Sequence, residues 1–548
     1  MKGTGEDLSG GAGSDRREVP PEVEGKKGKT RRIAAIDIGT NSIRSIVVQV
    51  APEGTYRILD DERALVRLGE GLNESGSIAP AAWQRALEAL SRQKKIIDGY
   101  GVDAIEAVAT SAVRKAANGG ALIDAIAAEV GLQVDIISGE EEAALAAASA
   151  FHNFDLEGVR HLIVDIGGGS LELITALGSH TEEVLSLELG AVFLTERFIK
   201  SDPVSPADLA KLRKYVRKTL KAHYDRGYGP LHCLVGSGGT ITSLAAMVTA
   251  SRRERFDSIH GYELLRSEVV HLLAMLHRKS AKERRALPGL NPERADIIVA
   301  GVAVVDELMD YFQVNLLKVN EHGIREGLIL KGLHRQKLLP EDRKIRTWRD
   351  SALAFARSCH FEETHSLHTA KLALQLFGAV AKRFRLKERE RRLLEAAAIL
   401  HDVGYFISYS AHHKHSYHLI RHAQLFGFTP RERELIANVA RYHRKSAPKK
   451  KHEEYTRLPA PDRLLVSRLG GILRLADGLD RRRTSAVQDL ECLLGKDTLQ
   501  VKLIGEDDLS VELFGARGKG DLFESAFKVK LELEEPPREG IQGNGFQP

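Results

Sequence analysis

A six-residue phrase occurs twice in this chain. Asp37-Ile38-Gly39-Thr40-Asn41-Ser42 and Asp165-Ile166-Gly167-Gly168-Gly169-Ser170 share aspartate, isoleucine, glycine and serine in one register. Each stands between two β-type runs, Ile33–Ile38 and Ile46–Val50 around the first, His161–Ile166 and Leu171–Ala176 around the second. A duplicated strand–turn–strand unit predicts two similar lobes that face each other. The turn residues also carry chemistry. Small side chains let main-chain N–H groups approach phosphate oxygens, and the hydroxyls of Ser42 and Ser170 add donors. Asp37 and Asp165, each closing a strand beside such a turn, are placed to hold Mg²⁺ or its water shell against a phosphate. A third small-residue loop, Gly236-Ser237-Gly238-Gly239-Thr240, extends the phosphate-binding set.

Around these loops, helical periodicity at Pro80–Ile97, Ala121–Val130 and Glu140–Phe151 alternates with short strands at Ile105–Ala109 and Val134–Ile137, which predicts an α/β fold. Past Pro340 the β-type runs stop, and helical patterns continue from Trp348 to Leu479. Strand-like alternation returns at Leu499–Ile504, Leu509–Leu513 and Phe527–Leu533. The expected organisation is a disordered tail over 1–31, lobe I over 32–153, lobe II over 154–340, an all-helical domain over 341–485, and a small C-terminal α+β unit with a tail over 486–548.

Several function classes fall away on composition. At 548 residues, 43% hydrophobic and 28% charged, the chain can bury several cores, and it has neither an apolar run long enough to span a membrane nor a signal-peptide pattern. Three cysteines, Cys233, Cys359 and Cys492, each more than a hundred residues from the next, build no disulfide framework. A reducing cytoplasmic setting is expected, with no nucleic-acid partner. The net charge of +5 is modest, but Lys382–Arg392 and Arg441–Lys451 are basic stretches that together suggest a polyanion-binding face.

The order of further segments resembles a known family. Ala35–Arg44, then Ala109-Thr110-Ser111-Ala112-Val113-Arg114, then Ile137-Ser138-Gly139-Glu140-Glu141-Glu142-Ala143, then Val164–Glu172, Gly236–Thr240 and Ile324-Arg325-Glu326-Gly327 look like successive signatures of exopolyphosphatases and guanosine-pentaphosphate phosphohydrolases. The resemblance implies two actin-like, ribonuclease-H-like lobes with the loops facing across a cleft, and a homodimer. It also implies that the glutamate directly before the alanine, Glu142, activates the attacking water; the neighbouring Glu141 stays open as the base. Asp165 and Glu172, with Asp37, would then support Mg²⁺. Arg114 would neutralise the terminal phosphate, with Arg44 as a second clamp. The phosphate loops would contribute Gly39, Thr40, Asn41 and Ser42, then Gly167, Gly168, Gly169 and Ser170, then Gly236, Ser237, Gly238 and Gly239. This chemistry is self-consistent, because phosphoanhydride hydrolysis needs an in-line water and charge stabilisation more than covalent catalysis.

The helical domain carries a separate signal. His365, the doublet His401-Asp402 and Asp477 occur in the order and helical settings of an HD-type domain, a mixed N/O ligand set suited to a divalent metal. His415 and His443 are the expected outer ligands. The leading functional expectation is an exopolyphosphatase that releases orthophosphate from the ends of linear polyphosphate. Guanosine pentaphosphate (pppGpp) 5′-phosphohydrolysis is the alternative, and a non-catalytic alarmone or polyphosphate sensor is a third reading.

Overall fold

The computed structural model describes residues 30–51, 56–224, 229–338, 347–505 and 508–534. The expected tails lie outside these residues, except that Arg31 already opens the first strand. The duplicated phrase proves to be part of a duplicated sheet. In the first sheet the strands lie in the order Tyr56–Leu65, Ser42–Val50, Arg31–Ile38, Ala104–Ala109, Asp135–Ile136, three antiparallel followed by two parallel. In the second the order is His180–Leu187, Leu171–Leu177, Arg160–Ile166, Cys233–Ser237, Leu316–Val319, with Glu263–Leu265 added antiparallel at the edge. The central strands are buried on both faces, as their unbroken Ile, Ala and Val runs require. Strand alternation sends Ala34, Ile36 and Ile38 into one core while Ile33 and Ala35 enter another on the opposite face.

Two helices exchange sides, so the lobes do not divide at 153/154 and 340 as the sequence suggested. Gly139–Asn153 precedes the second sheet in the chain and packs on it, placing Ala143, Ala147 and Ala150 against Ile163, Ile174 and Val235. Ile324–Arg335 returns to the first sheet, where Leu328, Ile329 and Leu333 meet Ile33, Ala35 and Val48. The two helices cross where Gly327 lies against the Leu145 backbone; a Cβ on Gly327 would collide with the Leu145 carbonyl. Periodicity could reveal these helices but not which sheet each covers.

The remaining residues form a helical domain with one continuous core. Helices Trp348–Ser358, Glu363–Phe384, Glu388–Leu400, His412–His422, Pro430–Arg441 and Ala460–Leu479 share buried contacts with Leu499, Val501, Leu503, Phe523 and Phe527. The segment from 486 to 534 is therefore a layer of this domain, a three-stranded sheet with two helices, and has no separate core. Its first strand, Asp489–Leu494, escaped the sequence reading, and the expected strand Leu509–Leu513 is instead largely the helix Ser510–Arg517. No helix among the described residues is long and apolar enough to cross a membrane.

Candidate active site and metal centre

The two phrases fold into the same turn. The Gly39 N–H donates to the Ser42 carbonyl at 3.2 Å, and the Gly167 N–H donates to the Ser170 carbonyl at 3.1 Å. The turns approach each other closely: a side chain on Gly168 would meet Thr40, and one on Gly169 would meet Ser111 Oγ and Thr40. The third loop opens the helix Gly239–Ser251 after Gly238, at φ 92°, and is tied to the second, because Ser237 pairs with Asp165 in the parallel ladder. A helix N-terminus beside two small-residue turns offers several main-chain donors to an anion. Gly236, expected as a phosphate ligand, is a correction. It lies inside the strand Cys233–Ser237, paired on both sides, with Leu317 and Ile241 against its Cα. Its smallness serves packing.

Glu141 and Glu142 part company at the start of the helix Gly139–Asn153. Ser138 caps that helix: its Oγ accepts the Glu141 N–H at 3.1 Å, while Glu141 Oε2 accepts the Ser138 N–H at 2.8 Å. Glu141 is therefore exposed and committed to the cap. Glu142, one residue on, turns inward at 4% exposure and receives Arg114 Nη1 at 3.2 Å. The same Nη1 donates to the Ile137 carbonyl at 2.6 Å, so Arg114 orients Glu142 in addition to any contact with phosphate.

Burial pushes the Glu142 carboxyl up to about 8, against the pull of Arg114, with Asp37 and Asp165 adding to the rise. Burial likewise raises Asp165 to about 6, and raises Asp37 in spite of Arg44 and Arg325. Glu172 lies well above the usual carboxylate range through burial and then the nearby Glu142 and Asp165, although Ser186 Oγ donates to it at 3.0 Å. Three buried carboxylates, Glu142, Asp165 and Glu172, beside the half-buried Asp37, whose charge adds to the rise of Glu142 and Asp165, call for a cation. Asp37 Oδ1 is buried without a hydrogen-bond partner, which fits a divalent ion or its water. The four are too widely spread to enclose an ion alone; Mg²⁺ suits such a site because it takes one or two carboxylates and completes its shell with water and phosphate oxygens.

Two arginines that no sequence motif marked, Arg63 and Arg294, join the expected Arg44 on the opposite side of the charge balance. Arg294 is 8% exposed and lies against the third loop, where any side chain on Gly239 would collide with its guanidinium. Burial, Arg44 and Arg63 lower it to about 9; burial, Arg325 and Arg63 lower Arg44 to about 10. Nε of Arg294 and Nε of Arg63 are buried without hydrogen-bond partners, while Arg63 Nη2 lies 3.3 Å from the Glu293 carboxylate. Mutually repelling guanidinium groups of this kind are matched by an oligoanion. Arg294 stands in Asn291-Pro292-Glu293-Arg294, a segment with no small-residue loop to mark it.

The helical domain gathers a second cluster where helix ends converge. His365 opens one helix, His401 and Asp402 follow the end of another, His443 follows the end of a third, and Asp477 and Asp480 lie at the end of Ala460–Leu479. Asp402 carboxylate oxygens lie 3.4 Å from His401 Nε2, 3.5 Å from His443 Nε2 and 3.9 Å from His365 Nε2; Asp477 Oδ1 lies 3.5 Å from His365 Nε2. Ligand atoms held about 2.1 Å from one ion sit roughly 3–4 Å from one another, which these separations match.

Tautomers favour the same reading. Nδ1 of His401 and of His443 each donates to the carbonyl three residues back at 2.7 Å, and His365 Nδ1 lies 2.7 Å from Asp480 Oδ2. Each Nε2 is thereby left as the lone-pair nitrogen. Nε2 of His365 and of His401 is buried without a hydrogen-bond partner. Burial alone would lower the His365 pKa, yet its hydrogen bonds to Asp477 and Asp480 push it up to about 9, so a metal would displace a proton from its Nε2; Arg483, 2.7 Å from Asp402, and Lys519, paired with Asp477, are the cations already present. His415 is a correction: it is half-buried on its helix, and it is His412 whose Nε2 lies 3.3 Å from Asp402 Oδ1 and 3.2 Å from His443 Nε2. Asp480, which orients His365, was also missed.

The basic stretches are less available than composition implied. Arg389 pairs with Glu432 at 2.8 Å, Arg391 with Glu388 at 3.1 Å, and Arg441 is buried against Tyr417 and Glu454. Lys449, Lys450 and Lys451 remain exposed.

Two α/β lobes of one topology, whose small-residue turns meet beside buried carboxylates, and a helical domain that follows them define the fold. The chain belongs to the Ppx/GppA phosphatase family, whose profile matches residues 46–336, and the profile of Ppx/GppA phosphatase domain III matches residues 346–512. Solved structures agree. An exopolyphosphatase from Cytophaga hutchinsonii is 29% identical, with 57% of this chain and 100% of that chain covered at a TM-score of 0.53. The Aquifex aeolicus Ppx/GppA family member is also 29% identical, covering 56% of this chain and 99% of that chain at a TM-score of 0.50. An exopolyphosphatase-like protein is 25% identical, covering 57% and 100% at a TM-score of 0.52.

Proposed function

We propose that this protein is a divalent-metal-dependent exopolyphosphatase that hydrolyses the terminal phosphoanhydride of linear inorganic polyphosphate. The observation that carries the reading is Glu142, buried, held by Arg114 and set among the carboxylates and turns of both lobes. Its carboxylate takes a proton from water as the water oxygen bonds to the terminal phosphorus and the bridging P–O bond breaks. The raised pKa places this base near neutral pH, where a general base is most effective. Main-chain donors of the turns and the helix N-terminus hold the phosphoryl oxygens, and Asp37, Asp165 and Glu172 would hold Mg²⁺, which supplies charge neutralisation at the phosphate. Arg44, Arg63 and Arg294 support a chain of phosphates over a single phosphate group.

The test compares initial rates on long-chain polyphosphate and on pppGpp with Mg²⁺. A preference for polyphosphate is expected; a preference for the nucleotide would move the assignment to pppGpp 5′-phosphohydrolysis, and binding without turnover of either would make the protein a sensor.

The lone-pair Nε2 atoms of the helical cluster favour a second metal. In this reading His365, His401, Asp402, His443 and Asp477 form an HD-type divalent site, with Asp480 orienting His365 and His412 standing beside Asp402 and Arg444 at its edge. Metal analysis of the full-length protein and of His401→Ala tests it: equal content in the two would refute the site.

A further inference from the structure

The two carboxylates of the helical cluster that would ligate a metal each hold a cation of the protein on one oxygen. Lys519 Nζ pairs with Asp477 Oδ2, and Arg483 Nη2 donates to Asp402 Oδ2 at 2.7 Å. The other oxygen of Asp477 is the one turned to the histidines: Oδ1 lies 3.5 Å from His365 Nε2 and 4.0 Å from His401 Nε2. Asp477 thus meets an ammonium group on one side and the lone-pair nitrogens on the other.

Backbone packing delivers Lys519 to this place. The residue stands in Gly518-Lys519-Gly520, between the helices Ser510–Arg517 and Asp521–Phe527, and its N–H donates to the Ala516 carbonyl at 3.0 Å. The first of these helices lies directly on the backbone of Ala460–Leu479. A Cβ on Gly515 would come within 2.5 Å of the Gly478 carbonyl oxygen, and a Cβ on Gly478 within 2.9 Å of the Gly515 carbonyl oxygen. Gly478 follows Asp477 in the chain, so the contact that joins the two backbones also sets the lysine on the carboxylate. The Lys519 side chain is 18% exposed, and Asp477 is its one ion-pair partner among the described residues. Arg483 is less dedicated, being shared with Glu362 and Tyr405.

Two consequences follow from charge. Asp402, Asp477 and Asp480 are all buried, and a buried carboxylate without a partner is strongly destabilising. Arg483 and Lys519 neutralise the first two before any ion binds, while Asp480 is met by His365 Nδ1 at 2.7 Å and by the Ser485 N–H at 2.9 Å. The centre is therefore satisfied without a metal. The same ammonium, little screened at this depth, repels a divalent ion on the opposite oxygen of the carboxylate it holds.

We propose that Lys519 is a positioning residue of this centre, a built-in counter-cation that presents Asp477 as a one-oxygen ligand and keeps the divalent ion exchangeable. The inference rests on the second-metal reading above. It makes the helical domain a module that stays folded as its ion leaves and returns, so that occupancy follows the surrounding ion concentration, unlike a small domain that folds only around its metal.

The experiment is a calorimetric titration of chelator-treated full-length protein with Mn²⁺, on wild type, Lys519→Gln, Lys519→Met and Lys519→Arg. His401→Ala marks the class of sites that belongs to the cluster and sets it apart from the cleft. At that class Lys519→Gln and Lys519→Met are expected to bind Mn²⁺ about tenfold or more tightly than wild type, and Lys519→Arg as wild type does. In metal-free buffer Lys519→Met should show a lower urea midpoint than wild type, and Mn²⁺ should restore it. Lys519→Gln keeps an N–H group for Oδ2 and carries the test should Lys519→Met not fold. Unchanged or weaker binding by a folded Lys519→Gln overturns this inference and leaves the second metal standing. Absence from wild type of any Mn²⁺ class that His401→Ala removes overturns both.

Discussion

Arg44 and Glu172 occupy equivalent positions in the two lobes: each stands seven residues after its strand-ending aspartate and pairs with that aspartate across an antiparallel ladder, Arg44 with Asp37 and Glu172 with Asp165. The duplicated turn thus carries a cation on one side of the cleft and a carboxylate on the other. Geometry was kept in the duplication while charge was inverted, which supports the proposed pairing of an oligoanion with a metal.

The two halves of this pair should fail differently. Glu172→Gln is expected to lower kcat by about a hundredfold and to raise the Mg²⁺ concentration needed for half-maximal rate, since it weakens support for charge at the reacting phosphate. Arg44→Gln is expected to raise KM for polyphosphate with little change in metal requirement. Metal titrations of both variants check the distinction; identical metal requirements would contradict it.

Arg294 acts on substrate in this account through its buried charge. Arg294→Met should weaken polyphosphate binding by about tenfold or more and flatten its salt dependence, because one guanidinium no longer displaces counterions. KM measured against salt concentration reads both effects.

Glu142 makes a stability prediction with a definite sign. Its carboxyl is raised from 4.5 to about 8 on folding by burial. The folded state therefore binds this proton more tightly; the stability it contributes is fully present below 4.5 and is lost as pH rises through about 8. In metal-free buffer, Glu142→Gln should gain stability relative to wild type progressively across that window. Denaturant titrations of the pair at several pH values measure it, and a constant difference would contradict the burial of this carboxyl.

For the helical cluster, Asp480→Asn should reduce divalent-metal affinity by about 10–100-fold while leaving every direct ligand in place, since Asp480 fixes the His365 ring and its tautomer. Turnover at the cleft should persist in this variant. Metal content after dialysis, read beside the phosphatase rate, separates the two sites.

Much of this architecture was legible before the structure because the informative residues are adjacent in sequence. The two turns, the Ser138–Glu142 segment and the His401-Asp402 doublet each place their chemistry within a few residues, so strand runs and small-residue turns located them. What was not legible depends on contacts between distant segments. Gly236 reads as a loop glycine in Gly-Ser-Gly-Gly, but its strand continues one residue further and Leu317 packs on it. His412 and His415 lie on one helix of five histidines, and only the packing of Asp402 and His443 selects between them. Arg294 and Asp480 have no motif at all; each is brought to its site by the fold of another segment. The Glu141 and Glu142 pair is an instructive middle case, because Ser138 followed by Glu141 is a readable capping box, and reading it would have left Glu142 as the inward-facing residue.

The most direct test is orthophosphate release from long-chain polyphosphate with Mg²⁺ by wild type, Glu141→Gln and Glu142→Gln. Glu141→Gln should lose about 1 kcal/mol or less of stability through its cap and turn over close to wild type. Glu142→Gln should stay folded and lose about 10²–10⁴-fold in kcat. Wild-type turnover in a folded Glu142→Gln would contradict the account.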